Sequence, residues 1–334
     1  YSWKWCSLFK KEKLDNFVNI PTPKMDWTQY HSLEDIYNWL DYIGQEYRPI
    51  LKIFTIGFSY EHRPIKAAIL SLKKGNKAIF VESGIHAIEW VSSAAGTCFL
   101  KNLLTSNDPE IRQLVWNYDW IFVPILNPDG FHFTKTTQPW RKNRNPTGSS
   151  DSSGICYGTD LNRNFDFQWN VAGYNTQVPC DHFYSGSAPA SEPEVQALQN
   201  FINSLPNDYI RMYLALHCFG NMVLLPYGHT TTVRPTNYDQ LIRISKAFAD
   251  SAFKQFNTTF RYGASGDLLS LVSGSSKDWA YGVKKIPYSA TIELRDTGEY
   301  GFFLPANQIK EVCAELTDGI VGMVKAAANE NLFS

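Results

Sequence analysis

The 334-residue chain has almost no net charge and no long apolar run, and these two absences argue against some classes of protein. A formal net charge of −1 lacks the excess of positive charge that is typical of proteins binding nucleic acid or an anionic membrane surface. No run of 18 apolar residues is present, so no transmembrane helix is expected. We therefore expect neither a nucleic-acid partner nor a membrane span.

Cysteine pairs of the C-x-x-C type are also missing, which argues against a zinc knuckle and a thioredoxin-like site. Cys156 and Cys180 lie in loop-like sequence, where a disulfide would suit a secreted protein. Cys98 belongs to an apolar helical pattern and is predicted to be buried. Cys6 either pairs with Cys313 or stays free, and the sequence leaves this open.

No signal peptide is visible at Tyr1, and we expect the sequence to begin after processing. Residues 1–24 end in a basic, proline-flanked stretch, which we interpret as a connecting segment left from an activation region. Residues 25–334 are predicted to form a single domain. One acceptor sequence for N-glycosylation begins at Asn257, and it is compatible with secretion.

Helical and strand-like patterns alternate along the chain from Met25. Helical patterns cover residues 32–47, 90–104, 191–205, 237–256 and 305–328, with Ser32 and Ser191 as predicted caps. Apolar strand patterns cover residues 77–83, 119–126, 209–217 and 288–294, and a turn is predicted at residues 127–130. Residues 135–187 are polar and glycine-rich, too long for a simple connection. This order predicts an α/β domain around a mainly parallel or mixed sheet.

Candidate metal ligands stand at the ends of two strand patterns, where sites collect in such sheets. His86 and Glu89 are three residues apart, although this spacing is often a coincidence at a helix start. His217 ends another apolar strand, where a histidine is usually a satisfied core residue. Two histidines and one glutamate would nevertheless give Zn²⁺ three ligands and an open position, as in catalytic zinc sites.

Charged residues elsewhere leave two interpretations each. Glu293 lies inside an apolar strand pattern, where a carboxylate is costly unless it is paired or functional. It forms an ion pair with Arg295, or it is a general base acting on a water activated by zinc. The arginine clusters at 140–144 and 161–166 are solvated loops, or they form a pocket for a substrate carboxylate.

Together these motifs resemble the zinc carboxypeptidases of the pancreatic carboxypeptidase A/B type. The resemblance covers essentially residues 25–333 and rests on GIHAIEW, NPDGF, WRKNR, GTDLNRNFD, SEPE, SGSSKDWAY and ELRDTGEYGFFLP, in the family order. It implies one catalytic domain, an α/β/α sandwich around a mixed eight-stranded sheet. It also implies a secreted exopeptidase that removes the C-terminal residue of peptides and is made as a zymogen. We expect a monomeric, digestive enzyme that proteinaceous carboxypeptidase inhibitors would bind.

The resemblance also assigns the reacting groups by position. The positions that match the ligands of one zinc ion are His86, Glu89 and His217. Glu293 matches the glutamate that deprotonates the attacking water and later passes the proton to the leaving amine. These four positions would carry the hydrolysis.

Further positions match the residues that bind the substrate. Arg144 matches the arginine that polarises the scissile carbonyl and stabilises the oxyanion. Asn162 and Arg163, together with Arg144, match the clamp for the substrate's terminal carboxylate. Cys156 and Cys180 match the family disulfide.

Three positions depart from the family pattern. Ile88 replaces an arginine that contacts the substrate, and Ser270 replaces the tyrosine that caps the terminal carboxylate, so we expect weaker substrate binding. Lys277 stands at the specificity position, where its ammonium group, with Ser275 beside it, would attract a C-terminal Glu or Asp. An ion pair between Lys277 and Asp267 would mute this preference.

Other functions stay open at this point. The same reaction with a broad or apolar C-terminal preference is one alternative. A catalytically weak homologue that acts in binding is another, although such proteins tend to lose the ligands and the base. An amidase is the third, and the pair Asn162 and Arg163 argues against it because that pair serves a free carboxylate.

Overall fold

The computed structural model describes residues 23, 25–134, 139–173 and 177–334. Cys6 and, apart from Pro23, the predicted connecting segment 1–24 lie outside the described residues, and the expectation for that segment stays a prediction. Within the described part of the chain, no helix is long and apolar enough to cross a membrane.

The predicted helices and strands follow one another in the expected order, and the structure adds a helix at Pro109–Asn117 and a two-stranded hairpin within the region 135–187 that was predicted as a loop. The helices are α1 Leu33–Glu46, α2 Trp90–Thr105, α3 Pro109–Asn117, α4 Pro128–Phe133, α5 Pro193–Ser204, α6 Tyr238–Phe256, α7 Ser265–Leu268, α8 Ser276–Gly282 and α9 Ile309–Asn329. The strands are β1 Leu51–Phe58, β2 Pro64–Leu70, β3 Lys77–Glu82, β4 Tyr118–Val123, β5 Pro146–Asp151, β6 Gly154–Tyr157, β7 Ile210–Cys218, β8 Met222–Leu225, β9 Arg261–Ala264 and β10 Tyr288–Leu294. Short 3₁₀ helices lie at Leu161–Arg163, Gly301–Phe303 and Ala306–Gln308.

One sheet of eight strands runs through the molecule in the order β1-β2-β4-β3-β7-β10-β8-β9. Strands β4, β3, β7 and β10 are parallel to one another, and β9 is parallel to β8. Strands β1, β2 and β8 pair antiparallel with their neighbours β2, β4 and β10. The sheet is therefore mixed, which confirms the prediction.

Helices cover both faces of this sheet, because alternate side chains of its strands point to opposite sides. On β7, Met212 and Leu214 belong to a core that includes residues of α1, α2, α6 and α9. Tyr213 and Ala215 belong to a second core that includes residues of α5 and α8. These two cores confirm the predicted α/β/α sandwich.

One helix begins as the sequence predicts, and two others differ from the prediction. Ser32 caps α1 as predicted, since its Oγ accepts a hydrogen bond from the Asp35 N–H at 2.9 Å. Ser191 does not cap α5, because that helix begins after Glu192. The predicted turn at 127–130 opens α4, with Pro128 at its first position, where proline's fixed φ suits a helix.

Two disulfides tie distant parts of this fold together. Cys156 and Cys180 are bonded as the resemblance implies. Cys98 of α2 is bonded to Cys313 of α9, with their Cα atoms 6.0 Å apart. The suggested pair of Cys6 and Cys313 is therefore wrong, although Cys98 is buried as predicted.

Candidate active site

The candidate site lies where parallel strands β3, β7 and β10 end side by side. Residue pairing along β7 and β10 places Glu293 directly beside His217. His86 follows the end of β3, which pairs with β7 on its other side. Sheet register therefore brings these three side chains to one edge, as the sequence predicted.

A glycine makes the turn between β3 and His86. Gly84 has a φ of +65°, in the left-handed region that favours glycine. A Cβ at this position would lie 2.6 Å from Ser93 Oγ and 3.0 Å from Ile125 Cα. A larger residue would push the turn out of place, and His86 with it.

His86, Glu89 and His217 form one compact buried group, with 3%, 2% and 2% of their surfaces exposed. Their candidate ligand atoms all lie within 4.8 Å of one another. His86 Nδ1 is 2.7 Å from Glu89 Oε1 and 3.1 Å from His217 Nδ1, which in turn is 3.0 Å from Glu89 Oε2. One nitrogen of each ring and the carboxylate therefore converge on a single point.

Asp160 supports this group from behind, and the sequence reasoning missed it. The Nε2 of His86 lies 3.0 Å from Asp160 Oδ1, a distance at which the ring donates to the carboxylate. This hydrogen bond keeps the ring proton on Nε2 and leaves Nδ1 with a lone pair for a metal. The signal was available in GTDLNRNFD, where Asp160 stands two residues before Asn162.

The donor set fits zinc. Two imidazole nitrogens and one carboxylate are the ligands of many catalytic zinc sites, and they leave a position for water or substrate. The Nδ1 atoms of His86 and His217, 3.1 Å apart, are close enough to bind one shared cation. Asp151, Cys156 and Cys180 likewise lie close together, but both sulfurs are consumed by the disulfide and cannot bind a metal.

The charges of the group depend on burial and on one another. Burial raises the pKa of Glu89, but His86 and His217 more than reverse this, so its pKa lies below the usual range. Burial raises the pKa of Glu293 to about 7, the Glu89 charge adds to this, and His217 opposes it. A carboxylate with a pKa near neutrality is well matched to accept a proton at pH 7.

Glu293 does not pair with Arg295, which was the alternative interpretation of its place in an apolar strand. Arg295 Nη1 donates to Glu311 at 2.7 Å, and its Nε donates to Glu315 at 2.9 Å. These two carboxylates of α9 satisfy the guanidinium. Glu293 is thus left facing the His86–Glu89–His217 group.

Arg141, and not Arg144, reaches this group. The carbonyl of Arg141 accepts a hydrogen bond from the Ala87 N–H at 3.1 Å, which holds it beside the candidate ligands. Its Nε donates to Asp160 Oδ2 at 2.9 Å, and its Nη1 lies 3.4 Å from Glu89 Oε1.

Arg144 points to another part of the molecule. Its guanidinium carbon lies 3.7 Å from the ring centre of Phe133, 4.6 Å from Trp140 and 4.5 Å from Tyr157. An arginine enclosed by three aromatic rings packs the loop and is turned away from a substrate at the strand ends. The structure therefore corrects the placement of Arg144, because residues 141 and 144 of this extended stretch contact different neighbours.

Asn162 and Arg163 are buried beside Asp160, on the 3₁₀ helix Leu161–Arg163. Asn162 Oδ1 accepts a hydrogen bond from the Ser276 N–H at 2.9 Å, so its amide nitrogen remains to donate. Arg163 Nη1 donates to the Asn162 carbonyl at 3.1 Å, and its buried Nε has no partner among the described residues. Burial lowers the pKa of Arg163, and the neighbouring Arg141 charge lowers it further. These donors favour binding of an anion.

Lys277 lies at the start of α8 with 2% of its surface exposed. Its Nζ donates to Asp278 Oδ1 at 3.0 Å and to Ser275 Oγ at 3.2 Å. Asp267 is bound elsewhere, since Arg234 Nη2 donates to it at 2.6 Å. The suggested pair of Lys277 and Asp267 is therefore wrong, and the neighbouring Asp278 is the partner.

The remaining predicted positions differ in exposure. Ser270 is exposed on the loop between α7 and α8, whereas Ser275 is buried against Lys277. Ile88 is buried between the two candidate ligands His86 and Glu89. Ser270 thus lies at the surface of this loop, whereas Ser275 lies beneath the surface.

The sequence and the fold both match known proteins. Residues 36–319 match the family model described as zinc carboxypeptidase. A zinc carboxypeptidase of Simulium vittatum is 40% identical over 92% of this chain and 99% of its own length. Human carboxypeptidase O is 37% identical over 88% of this chain and 78% of its own length.

Solved structures share the architecture. Bovine thrombin-activatable fibrinolysis inhibitor in complex with tick carboxypeptidase inhibitor is 30% identical, with a TM-score of 0.84 over 91% of this chain and 99% of that chain. Carboxypeptidase A from Helicoverpa armigera is 28% identical, with a TM-score of 0.83 over 93% of this chain and 77% of that chain. The resemblance drawn from the motifs is confirmed.

Proposed function

The chain belongs to the zinc carboxypeptidase family, and on that basis we propose that it removes Glu or Asp from the C-termini of peptides. Membership in this family implies hydrolysis of the C-terminal peptide bond with the help of one zinc ion. The acidic preference rests on one observation, the buried ammonium group of Lys277 next to Ser275.

The reacting groups are the strand-end residues. His86, Glu89 and His217 would hold the zinc ion through two ring nitrogens and a carboxylate oxygen. When bound, the ion supplies Lewis acidity that polarises the scissile carbonyl and makes a water molecule more acidic. Glu293, beside His217 on the neighbouring strand, takes the proton of the attacking water and passes it to the leaving amine.

Arg141 takes the role that the sequence assigned to Arg144. Its guanidinium is held by Asp160 and lies beside Glu89, so its positive charge is fixed close to the reacting atoms. A charge held in place before the reaction stabilises the oxyanion without reorganisation. Arg144 would act only indirectly, by packing the loop that carries Arg141.

The terminal carboxylate of the substrate would bind Asn162 and Arg163. Both side chains are buried, and both retain N–H groups directed away from the protein contacts already described. Arginine binds a carboxylate through two parallel hydrogen bonds, which fixes both its position and its orientation. This clamp selects a free C-terminus over an internal peptide bond.

Lys277 is able to receive an acidic side chain although Asp278 stands beside it. An ammonium group has three N–H donors, and Ser275 and Asp278 accept from two of them. Asp278 is also satisfied by the Gly228 N–H, which donates to its Oδ2 at 2.7 Å. A substrate Lys or Arg would meet a like charge in this pocket. We expect a preference for acidic residues of at least about tenfold, or about 1.4 kcal/mol.

A panel of blocked dipeptides tests the proposal. The peptides share the penultimate residue and end in Glu, Asp, Leu or Arg, and kcat/KM is measured for each. Lys277→Ala should remove the acidic preference, and Lys277→Asp should shift cleavage towards the Arg-ended peptide. Lys254→Ala, at an exposed position of α6, is the matched control and should leave the ratios unchanged.

Each alternative has its own outcome in this panel. Equal cleavage of the Glu-, Leu- and Arg-ended peptides would refute the acidic preference and support a broad enzyme. No cleavage of any peptide by the zinc-loaded protein would support a weak homologue that acts in binding. The third alternative is tested with the same peptides carrying an amidated C-terminus, and cleavage of those alone would support an amidase.

Secretion, zymogen formation and inhibitor binding complete the proposal. Two disulfides are typical of an oxidising compartment, and the acceptor Asn257 is exposed at the end of α6. The bovine structure described above contains a tick carboxypeptidase inhibitor, and we propose that similar proteins would bind this site. Secretion into culture medium with a mass increase at Asn257 would support the first of these points, and intracellular retention would oppose it.

A further inference from the structure

Phe183 lies over both arginines of the substrate-binding region. The guanidinium carbons of Arg141 and Arg163 are each 5.5 Å from the centre of its ring. The residue is 36% exposed, so it lies partly at the surface beside the two arginines. We propose that Phe183 is a positioning residue that holds these two guanidiniums in place for the substrate carboxylate and carbonyl.

The proposal rests on the proposed function, because it gives Arg141 and Arg163 the roles described there. It adds a residue that no motif assigned. The family pattern places a tyrosine over the terminal carboxylate from the loop that here carries the exposed Ser270. In this chain an aromatic ring reaches the arginines from a different segment.

The segment that carries Phe183 is anchored in the residues just before it. Cys180, three residues before it, is bonded to Cys156. Lys142 Nζ donates to the carbonyls of Pro179 at 3.0 Å and Asp181 at 2.9 Å. Lys142 directly follows Arg141, so the segment that carries Arg141 also anchors the segment that carries Phe183.

Further hydrogen bonds fix the backbone that carries the ring. The Phe183 N–H donates to Asp181 Oδ1 at 2.8 Å. The carbonyl of the next residue, Tyr184, accepts a hydrogen bond from the Asp160 N–H at 2.8 Å. Asp160 is the carboxylate that binds Arg141 Nε, so the ring and the guanidinium below it share one support.

Arg141 and Arg163 place two positive charges beside the Phe183 ring, and a further contact is needed to hold them there. Arg141 and Arg163 repel each other, and Asp160 offers its nearer oxygen to Arg141 at 2.9 Å but to Arg163 only at 3.9 Å. The negative face of an aromatic ring attracts a cation and offsets part of this repulsion. The ring also shields the guanidiniums from water, which strengthens their attraction to a substrate anion. An aliphatic side chain of similar size would shield them without attracting them.

Steady-state kinetics on the Glu-ended blocked dipeptide test the proposal. Phe183→Ala is expected to raise KM about fivefold to tenfold through Arg163 and to lower kcat about threefold through Arg141. Phe183→Tyr should restore KM, and Phe183→Leu should not, because leucine keeps the apolar volume but lacks the ring's charge distribution. Ile155→Ala, an exposed apolar residue of β6, is the matched control and should leave KM unchanged.

The outcomes separate this inference from the function on which it rests. Cleavage by the natural enzyme with an unchanged KM in Phe183→Ala would overturn the positioning role alone. A leucine variant as good as the natural enzyme would also overturn it, because packing would then suffice. Failure of the natural enzyme to cleave any C-terminal residue would overturn the proposed function. Should the alanine variant not fold, the leucine and tyrosine variants carry the same comparison.

Discussion

The metal-binding end and the substrate-binding end of the site are built in different ways. His86, His217 and Glu293 stand at the ends of neighbouring parallel strands, where the hydrogen bonds of the sheet set their spacing. Arg141 lies on irregular chain and Arg163 on a short 3₁₀ helix, and side-chain contacts such as those of Asp160 set the direction of both. The first end is fixed by the backbone, and the second depends on contacts between segments distant in sequence.

This difference separates what each end contributes to catalysis. Substitutions at the strand ends should remove chemistry and lower kcat, because their neighbours cannot move to compensate. Substitutions of the loop residues that bind the end groups of the substrate should change mainly KM and the choice of substrate, whereas Arg141, which stabilises the oxyanion, should also affect kcat. Four predictions test this division.

The largest effect is expected at Glu293. Glu293→Gln keeps the shape of the side chain but removes the proton acceptor, so kcat should fall about a thousandfold. Zinc content should stay at one ion per chain. Glu46→Gln, exposed at the end of α1, is the control and should be fully active. Retention of a tenth of the natural activity in Glu293→Gln would assign the base elsewhere.

The two arginines of WRKNR should differ sharply. Arg141→Lys removes a planar guanidinium beside Glu89, and kcat/KM should fall about a hundredfold. Arg144→Lys should keep activity within about threefold but lower the free energy of unfolding by about 1 kcal/mol, because the compact lysine ammonium cannot stack as a planar guanidinium on three aromatic rings. Kinetics and thermal unfolding of both variants check this, and the reverse result would restore Arg144 to the site.

Asp160 links the two ends, and its removal should weaken the metal. Asp160→Asn loses the carboxylate that orients the His86 ring, so zinc affinity should fall about tenfold. Competition with a zinc-binding dye measures this without reference to activity. Asp166→Asn, an exposed neighbour in the same motif, should bind zinc normally. Unchanged zinc affinity in Asp160→Asn would mean that the sheet alone orients His86.

The smallest effect is expected at the exposed loop. Ser270→Tyr should lower KM about threefold for all substrates, because a phenol would add one hydrogen bond to the terminal carboxylate. The kcat should not change. Ser152→Tyr, exposed in the turn between β5 and β6, controls for the added surface. An unchanged KM for every substrate would show that the loop does not reach the bound peptide.

The strand-end residues could be predicted from the sequence because periodicity reveals where a buried strand stops. The apolar runs before His86 and His217 and around Glu293 place all three at one sheet edge once the strands are taken as neighbours. The family resemblance implied a mixed eight-stranded sheet, and the order of its strands is given by the structure. Local pattern alone supplied the positions but not the pairing.

The loop residues could not be predicted in the same way. Arg141 and Arg144 are chemically identical, and only the hydrogen bond from Ala87 to the Arg141 carbonyl decides which one faces the site. The partner of Lys277 was equally hidden, since Asp267 and Asp278 are both close in sequence. Contacts of this kind depend on how separate segments meet, and a single sequence does not display them.

The bond between Cys98 and Cys313 joins residues 215 positions apart and makes most of the chain a closed covalent ring. Arg141, His217 and Glu293 lie inside this ring, whereas His86 and Glu89 lie just outside it. A protease that cuts once in the exposed turn at 152–154 would therefore leave both pieces attached. On a denaturing gel, such a nicked molecule would run as one band without reductant and as two bands with it. Its candidate zinc ligands would stay in one covalently linked molecule.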